Sequence, residues 1–336
     1  MATQDFDVII IGAGPAGLAC ARELSNSKFS VLILDKRQVL GSKPCGGGIC
    51  EKEVAVPVET AWSKKIDKQM IRSGNNIVKV KHRYKRITFE REDLASYQER
   101  LLDEAKNVTI LKSVSVTKVT ANTVETNSGT YKYKYLVGAD GASSVVRAYL
   151  KLPVKLAMGI YYKIWGEYDE FVAHYDFGNM GPSYIWEFPH PTYNNIGIYF
   201  EPTFLKVTKA KEVLQNYLKE RQYTYAEKDF MAAPVNYNYL GHQFGSIFLV
   251  GDAGGFTSRM HGGGINNAII SGTEVAKLIK DPNYEAKTLL GMIKSKQKDD
   301  KLIDYFAAVP LWLAKMVVFV VINLYRIPFF QKVLPL

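Results

Sequence analysis

Short apolar runs that end at a glycine turn or a carboxylate recur along this chain, and they predict buried strands alternating with helices. Val8-Ile9-Ile10-Ile11 is continuous and too short for a helix, the pattern of a parallel strand covered on both faces. Gly12-Ala13-Gly14-Pro15-Ala16-Gly17 follows at once. In such a turn Gly12 allows the tight bend, Gly14 lets backbone approach a pyrophosphate, and Gly17 lets the next helix pack close to the strand. A helix from Pro15 to Ser25 then aims its free amides and positive dipole end at the same spot. Ser30 to Leu34 predicts the second strand, and Asp35 ends it about 20 residues after the glycines, where a carboxylate can hold the hydroxyls of an unphosphorylated ribose. Strand, turn, helix and acid in this order mark a dinucleotide site without separating NAD from FAD.

Downstream the period changes several times. Lys43-Pro44-Cys45-Gly46-Gly47-Gly48 is a loop whose glycines leave room for something flat against the backbone, with Cys45 facing it. Glu92 to Lys106 predicts a helix with Leu94, Leu101, Leu102 and Ala105 on its apolar side. From Val108 to Val137 β-type residues alternate, broken by Asn122 and Asn127-Ser128-Gly129, as strand and hairpins do. Tyr135 to Gly141 closes another buried strand on Asp140, and Ser143 to Leu150 predicts a short helix. Lys155 to Phe200 is aromatic-rich and alternating, which predicts antiparallel strands of a second domain inserted into the first. After a helix from Val207 to Arg221, Ser246 to Ala253 repeats the strand-plus-acid pattern, and a long helix runs from Gly264 to Lys280. Ala307 to Leu324 is apolar all round, interrupted by Pro310, Lys315 and Asn323. It is close to the lower limit for a membrane span, so it is expected to close a pocket or to lie in a membrane interface, flanked by Lys315, Arg326 and Lys332.

Composition narrows the partners. At 336 residues and 47% hydrophobic, the chain supports two cored domains and is not disordered. A net charge of +10 and an isoelectric point near 9.2 favour an acidic partner, but the lysines are scattered. They gather only in Lys79 to Arg86 and Lys294 to Lys301, with no nucleic-acid-binding motif, so an anionic membrane surface is expected and nucleic acid is not. Cys20, Cys45 and Cys50 form no disulfide framework and the start carries no signal pattern, so the expected location is cytoplasmic. The five histidines are spaced too widely for metal ligands, and no metal is expected.

Three segments now share one logic, an apolar strand ending in amides or a carboxylate: Gly12 to Gly17, Gly138 to Gly141, and Gly251 to Ala253. Together with Arg147 they resemble the flavoprotein family that includes p-hydroxybenzoate hydroxylase. Two further motifs narrow the likeness. Gly181-Pro182-Ser183-Tyr184-Ile185-Trp186-Glu187-Phe188-Pro189 resembles the PxxYxWxFP signature of geranylgeranyl reductases, and Lys43 to Gly47 resembles their cysteine loop. The likeness covers roughly residues 5 to 290.

The resemblance implies an α/β fold: a discontinuous Rossmann-like FAD-binding domain (1–70, 86–150, 236–290), an inserted antiparallel-sheet substrate domain (71–85, 151–235), and a C-terminal apolar helical segment (291–336). For FAD it implies Gly12, Gly14, Ala16, Gly17, Asp35, Lys36, Cys45, Gly46, Arg100, Asp140, Gly251, Asp252, Gly263, Gly264 and Ile265, with Asp140 near the pyrophosphate and Asp252 on the ribityl chain. Tyr184, Trp186 and Phe188 alternate on one strand and would line a slot for a polyisoprenoid. The implied reaction saturates carbon-carbon double bonds of geranylgeranyl chains on a lipid, diphosphate or quinone, by hydride from reduced flavin and a proton from an acid. Cys45 is the acid the resemblance suggests. His261 is the second, because relatives usually carry Thr-Gly-Glu-Gly where this chain has Ser258 to Gly264 and a histidine titrates near neutrality. NADPH or a ferredoxin would supply electrons, and the enzyme would sit peripherally on the inner membrane face. The rivals are a flavin monooxygenase of an apolar substrate, a flavin halogenase, and a non-enzymatic membrane-associated flavin-binding redox protein.

Overall fold

The computed structural model describes residues 4–50, 62–74, 76–80 and 85–333. Val8, Ile9 and Ile10 have no exposed surface, because parallel neighbours flank them on both sides. The strand Gln4–Ile11 pairs with Thr130–Gly138 and with Val31–Leu34. Ile247–Leu249 and Val108–Leu111 extend the parallel sheet outward, and Thr123–Thr126 and Val116–Val119 add an antiparallel wing. The helices Pro15–Leu24 and Ile265–Lys280 pack together over one face, burying Leu18, Leu24, Val275 and Ile279 in a shared core.

The second sheet runs in the order Phe230–Asn236, Leu156–Trp165, Tyr193–Phe200, Tyr184–Pro189, Glu170–His174, Lys68–Ser73 and Asn76–Val80. Its two faces divide the side chains by parity. Ile160, Tyr162, Ile185 and Ile198 point under the helix Val207–Glu220, while Tyr161, Tyr184, Trp186 and Tyr199 gather on the other side. Two expectations need correction here. Lys68–Ser73 lies wholly within this sheet, so the boundary drawn at residue 71 cuts a strand, and its pairing with Glu170–His174 is parallel, not antiparallel. A three-stranded sheet of Gly48–Cys50, Arg86–Phe89 and Ser63–Ile66 joins the two larger ones. Of the basic run near residue 80, positions 81 to 84 lie outside the described residues.

The helix expected over Glu92 to Lys106 is Arg91–Arg100. Beyond it the amides of Leu102 and Asp103 reach back only three residues, to Glu99 and Arg100, so the last turn tightens and the helix stops. The C-terminal helices are Lys287–Ala308, Leu311–Leu324 and Pro328–Val333. Among the described residues no helix is long and apolar enough to cross a membrane. Leu311–Leu324 is divided instead: Ile322 and the following Tyr325 pack on Ile71, Val78 and Val80, while Trp312 (67% exposed), Met316 and Phe319 face outward.

Burial holds three histidines, His174, His190 and His242, below their ordinary pKa of 6.5. Each therefore binds its proton more readily after unfolding, so the unfolded chain takes up more protons as pH falls below about 6.5. Thermal or urea unfolding is expected to show stability falling from pH 7 to 5, and His190→Gln is expected to flatten the fall.

Candidate active site

The site begins at the glycine turn. The Gly12 amide donates to Leu34 O at 2.7 Å and the Ala139 amide to Ile11 O at 2.8 Å, which pins the turn between its neighbouring strands. Asp35 stabilises the same turn: its carboxylate accepts the Ala13 amide at 2.7 Å and the Arg37 amide at 2.8 Å. Lys36 is exposed beside it. Opposite Gly14 stands a residue that the sequence reading missed. Arg91, first residue of its helix, brings Nη2 to 3.3 Å from where a Cβ on Gly14 would sit, and its buried Nε has no partner. Arg100, named for this role, lies at the far end of the helix, about 14 Å along, over the Tyr97 ring. The signal for Arg91 was a cation at the opening of a helix otherwise led by acids.

The second and third segments meet the first. Asp140 accepts the Val145 amide at 2.6 Å through Oδ2 and leaves Oδ1 buried without a partner. Arg147, almost wholly buried, donates to the carbonyls of Pro153, Asn238 and Ala253, so it clasps the Gly251 to Ala253 segment from behind. The Asp252 carboxylate accepts Lys43 Nζ at 2.7 Å and the Thr257 hydroxyl at 2.8 Å. Burial pushes Asp252 up, yet Lys43, Arg91 and Thr257 outweigh it and hold the carboxyl below its usual range. Gly264 lies against this carboxylate, a Cβ there falling 3.4 Å from Oδ1, and the helix Ile265–Lys280 starts from it with no side chain capping its amides.

The cysteine loop closes the opposite side. The Gly47 amide donates to Cys45 Sγ at 3.4 Å, and Asn195 Nδ2 donates to Cys45 O at 3.1 Å. Asn195 Oδ1 also accepts the Trp186 indole N–H at 2.9 Å, so one buried amide ties the loop to the aromatic strand. Trp186 lies flat because Gly197 is beneath it, where a Cβ would be 2.3 Å from the ring. Phe188 covers Gly46 and Gly48 and stacks on Phe171, centroids 4.2 Å apart. Tyr184 is an anchor as well as a wall: its hydroxyl donates to His261 O at 2.7 Å. The His261 ring is exposed and accepts the Gly263 amide at 3.1 Å, turned back on its own loop. The cysteine loop is thus tied to the aromatic row through Cys45 O, and the His261 backbone is tied to it through Tyr184.

Comparison with known proteins decides what this cradle is. Residues 6–157 match the pyridine nucleotide-disulphide oxidoreductase family. An uncharacterized protein of Methanosarcina barkeri is 30% identical over 300 residues, covering 82% of this chain and 75% of its own. A protein of Methanosphaera stadtmanae named digeranylgeranylglycerophospholipid reductase 3 is 27% identical, covering 86% and 82%. The chain belongs to the geranylgeranyl reductase family of FAD-dependent oxidoreductases. Its fold matches a crystal structure of a geranylgeranyl bacteriochlorophyll reductase-like protein from Thermoplasma acidophilum, with a TM-score of 0.82 at 17% identity over 97% of this chain and 92% of that one.

FAD is the cofactor of this oxidoreductase, and the residues present fit it. The backbone at Gly14 is bare, Arg91 Nε is buried with no hydrogen-bond partner among the described residues, and uncapped amides start the helix at Ile265. The bare backbone, the guanidinium and the uncapped amides offer the space and the donors that a pyrophosphate and a flavin ring take.

Proposed function

We propose that this reductase saturates carbon-carbon double bonds in geranylgeranyl chains carried by a membrane lipid. The observation that carries the reading is the meeting of the cysteine loop with Trp186 and Phe188, which gives the loop an aromatic wall. Reduced FAD supplies the hydride. The chain's own residues do the rest. Arg91 and the amides of the glycine turn hold the pyrophosphate, Asp35 holds the ribose, and Asp252, fixed by Lys43, holds the ribityl chain. Tyr184, Trp186 and Phe188 clamp the isoprene unit in near-attack geometry and exclude water. Cys45, in the loop that meets Trp186 and Phe188, donates the proton.

The outward face of Leu311–Leu324, with Trp312, Met316 and Phe319, fits the headgroup boundary of an anionic membrane. The helix's inner side abuts Tyr175, which in turn lies 5.8 Å from Tyr184, so docking there would open the slot toward the lipid from which the chain is drawn. Electrons come from NADPH or a reduced ferredoxin.

The test is anaerobic. Chemically reduced holoenzyme mixed with a geranylgeranyl glycerophospholipid is expected to have its flavin reoxidised without oxygen. Flavin that stays reduced until air is admitted would favour the monooxygenase.

A further inference from the structure

One guanidinium joins three parts of the chain. Arg259 lies in the loop Ser258 to Gly264, between the Asp252 carboxylate and the helix Ile265–Lys280. Its Nε and Nη2 donate to the two carboxylate oxygens of Glu201, at 2.5 and 3.1 Å, and Nη1 donates to Asp304 Oδ1 at 2.5 Å. Glu201 directly follows the strand Tyr193–Phe200, and Asp304 lies in the C-terminal helix Lys287–Ala308. We propose that Arg259 is a positioning residue of the reductase. It fixes the loop after Asp252 against the strand that supports Trp186, and so fixes where the prenyl double bond stands relative to the cofactor. The inference rests on the reductase reading of the site.

The loop is closed on itself. The Ser258 amide donates to Gly263 O at 3.1 Å and the Gly262 amide to Ser258 O at 3.0 Å. Its two ends meet at one carboxylate, because Thr257 donates to Asp252 and Gly264 abuts it. A shift of the loop therefore disturbs the surroundings of Asp252. Neutral contacts join it to the substrate sheet: the Tyr184 hydroxyl donates to His261 O, the Tyr199 hydroxyl to Ser258 O at 3.4 Å, and the Tyr199 ring lies under Gly262. The fork from Arg259 to Glu201 is of another kind. Two charge-assisted bonds from a planar group fix direction as well as distance. The two side chains are 11% and 5% exposed, so salt in the solvent screens the pair little.

Glu201 is held from a second side. The Tyr237 hydroxyl donates to its Oε2 at 2.7 Å, and Arg259 Cζ lies 5.1 Å from the centre of the Tyr237 ring. The neighbouring Asn236 donates to Asp252 O at 3.0 Å, so the support of Glu201 leads back to the cradle. On the helix side the Ser258 hydroxyl donates to Asp299 Oδ2 at 3.1 Å, and buried Lys296 donates to Asp300 at 2.7 Å. Asp304 is the wet arm, with its side chain 70% exposed. Exposed pairs contribute little. The Glu201 arm sets the position.

Removing Arg259 alone would strand a buried carboxylate, which is destabilising in its own right. The informative variants keep the charge or remove both members. Arg259→Lys keeps a cation but cannot form the fork. Arg259→Gln combined with Glu201→Gln removes both charges and leaves side chains that can still hydrogen-bond.

The experiment reads rate and loop together. Wild-type holoenzyme and the two variants are reduced anaerobically with dithionite and given geranylgeranyl glycerophospholipid in detergent micelles at rising concentration. Flavin reoxidation is expressed per bound flavin, and amide hydrogen exchange of residues 258–264 is measured without lipid. Positioning predicts a kcat lower on the order of a hundredfold, with KM, flavin content and dithionite reduction unchanged. Exchange in the loop should quicken about tenfold or more, while the helix Pro15–Leu24 keeps its protection. A lower melting temperature with kcat per bound flavin unchanged would overturn the proposal, because a purely structural staple behaves that way. Loop exchange as slow as in the wild type would overturn it too. Lipid that fails to reoxidise the wild-type flavin would overturn the reductase reading and the positioning role with it, and the exchange comparison separates that failure from a loop that Arg259 does not hold.

Discussion

Gly17→Ala is expected to yield a protein that no longer retains FAD. A Cβ on residue 17 would sit 1.9 Å from Gly12 O and 3.2 Å from the Ala139 side chain. The first obstacle is backbone, and it is held in place by the Gly12 amide bond to Leu34. The helix Pro15–Leu24 must therefore lift away from the strand. That movement carries Gly14 away from Arg91 and disturbs the buried seam with Ile265–Lys280. Overpacking of this kind costs about 1–3 kcal/mol of stability, but the loss of cofactor should be much larger, since every phosphate-binding amide moves together. Flavin absorbance of the purified protein, before and after added FAD, measures it. Full flavin content in the variant would show that the glycine is not needed for the approach of helix to strand.

Gly197→Ala is expected to do the reverse, keeping the flavin and losing the reaction. The added methyl would meet Trp186 at 2.3 Å, Ile160 O at 2.5 Å and Tyr161 Cβ at 2.6 Å. Trp186 can turn away, but Ile160 O is backbone of the paired strand, so the strand Tyr193–Phe200 must shift as well, and both movements loosen Asn195 and with it the tether on Cys45 O. A misplacement of about 1 Å can lower a rate some hundredfold, and a loss of that order in kcat/KM for the prenyl lipid is expected. Flavin content and dithionite reduction should stay normal. Unchanged turnover would mean that the aromatic strand does not position substrate.

The parts of this site that lie within one short stretch were legible in the sequence. Glycine spacing, the acid at the end of the second strand and the alternation of Tyr184, Trp186 and Phe188 are local patterns, and local patterns follow from backbone period. The parts set by distant pairing were not legible. Lys43 and Asp252 are 209 residues apart and form one ion pair. Asn195 reaches Cys45 across 150 residues. Arg91 was passed over because the helix was started one residue late, and Arg100 was favoured although it lies two and a half turns further on. Lys68–Ser73 joins its sheet through a parallel partner a hundred residues away, which nothing in its own six residues reveals. The same limit explains the C-terminal helix. Its composition is apolar all round, and only the neighbouring Ile71, Val78 and Val80 determine which side is covered.

The measurement that bears most directly on the central claim is the mass of the lipid recovered after anaerobic turnover with reduced enzyme. The account predicts a gain of two hydrogen atoms for each double bond saturated, both of them deuterium when the solvent is deuterium oxide. Lipid of unchanged mass without oxygen, and carrying an added oxygen atom once air is admitted, would contradict it.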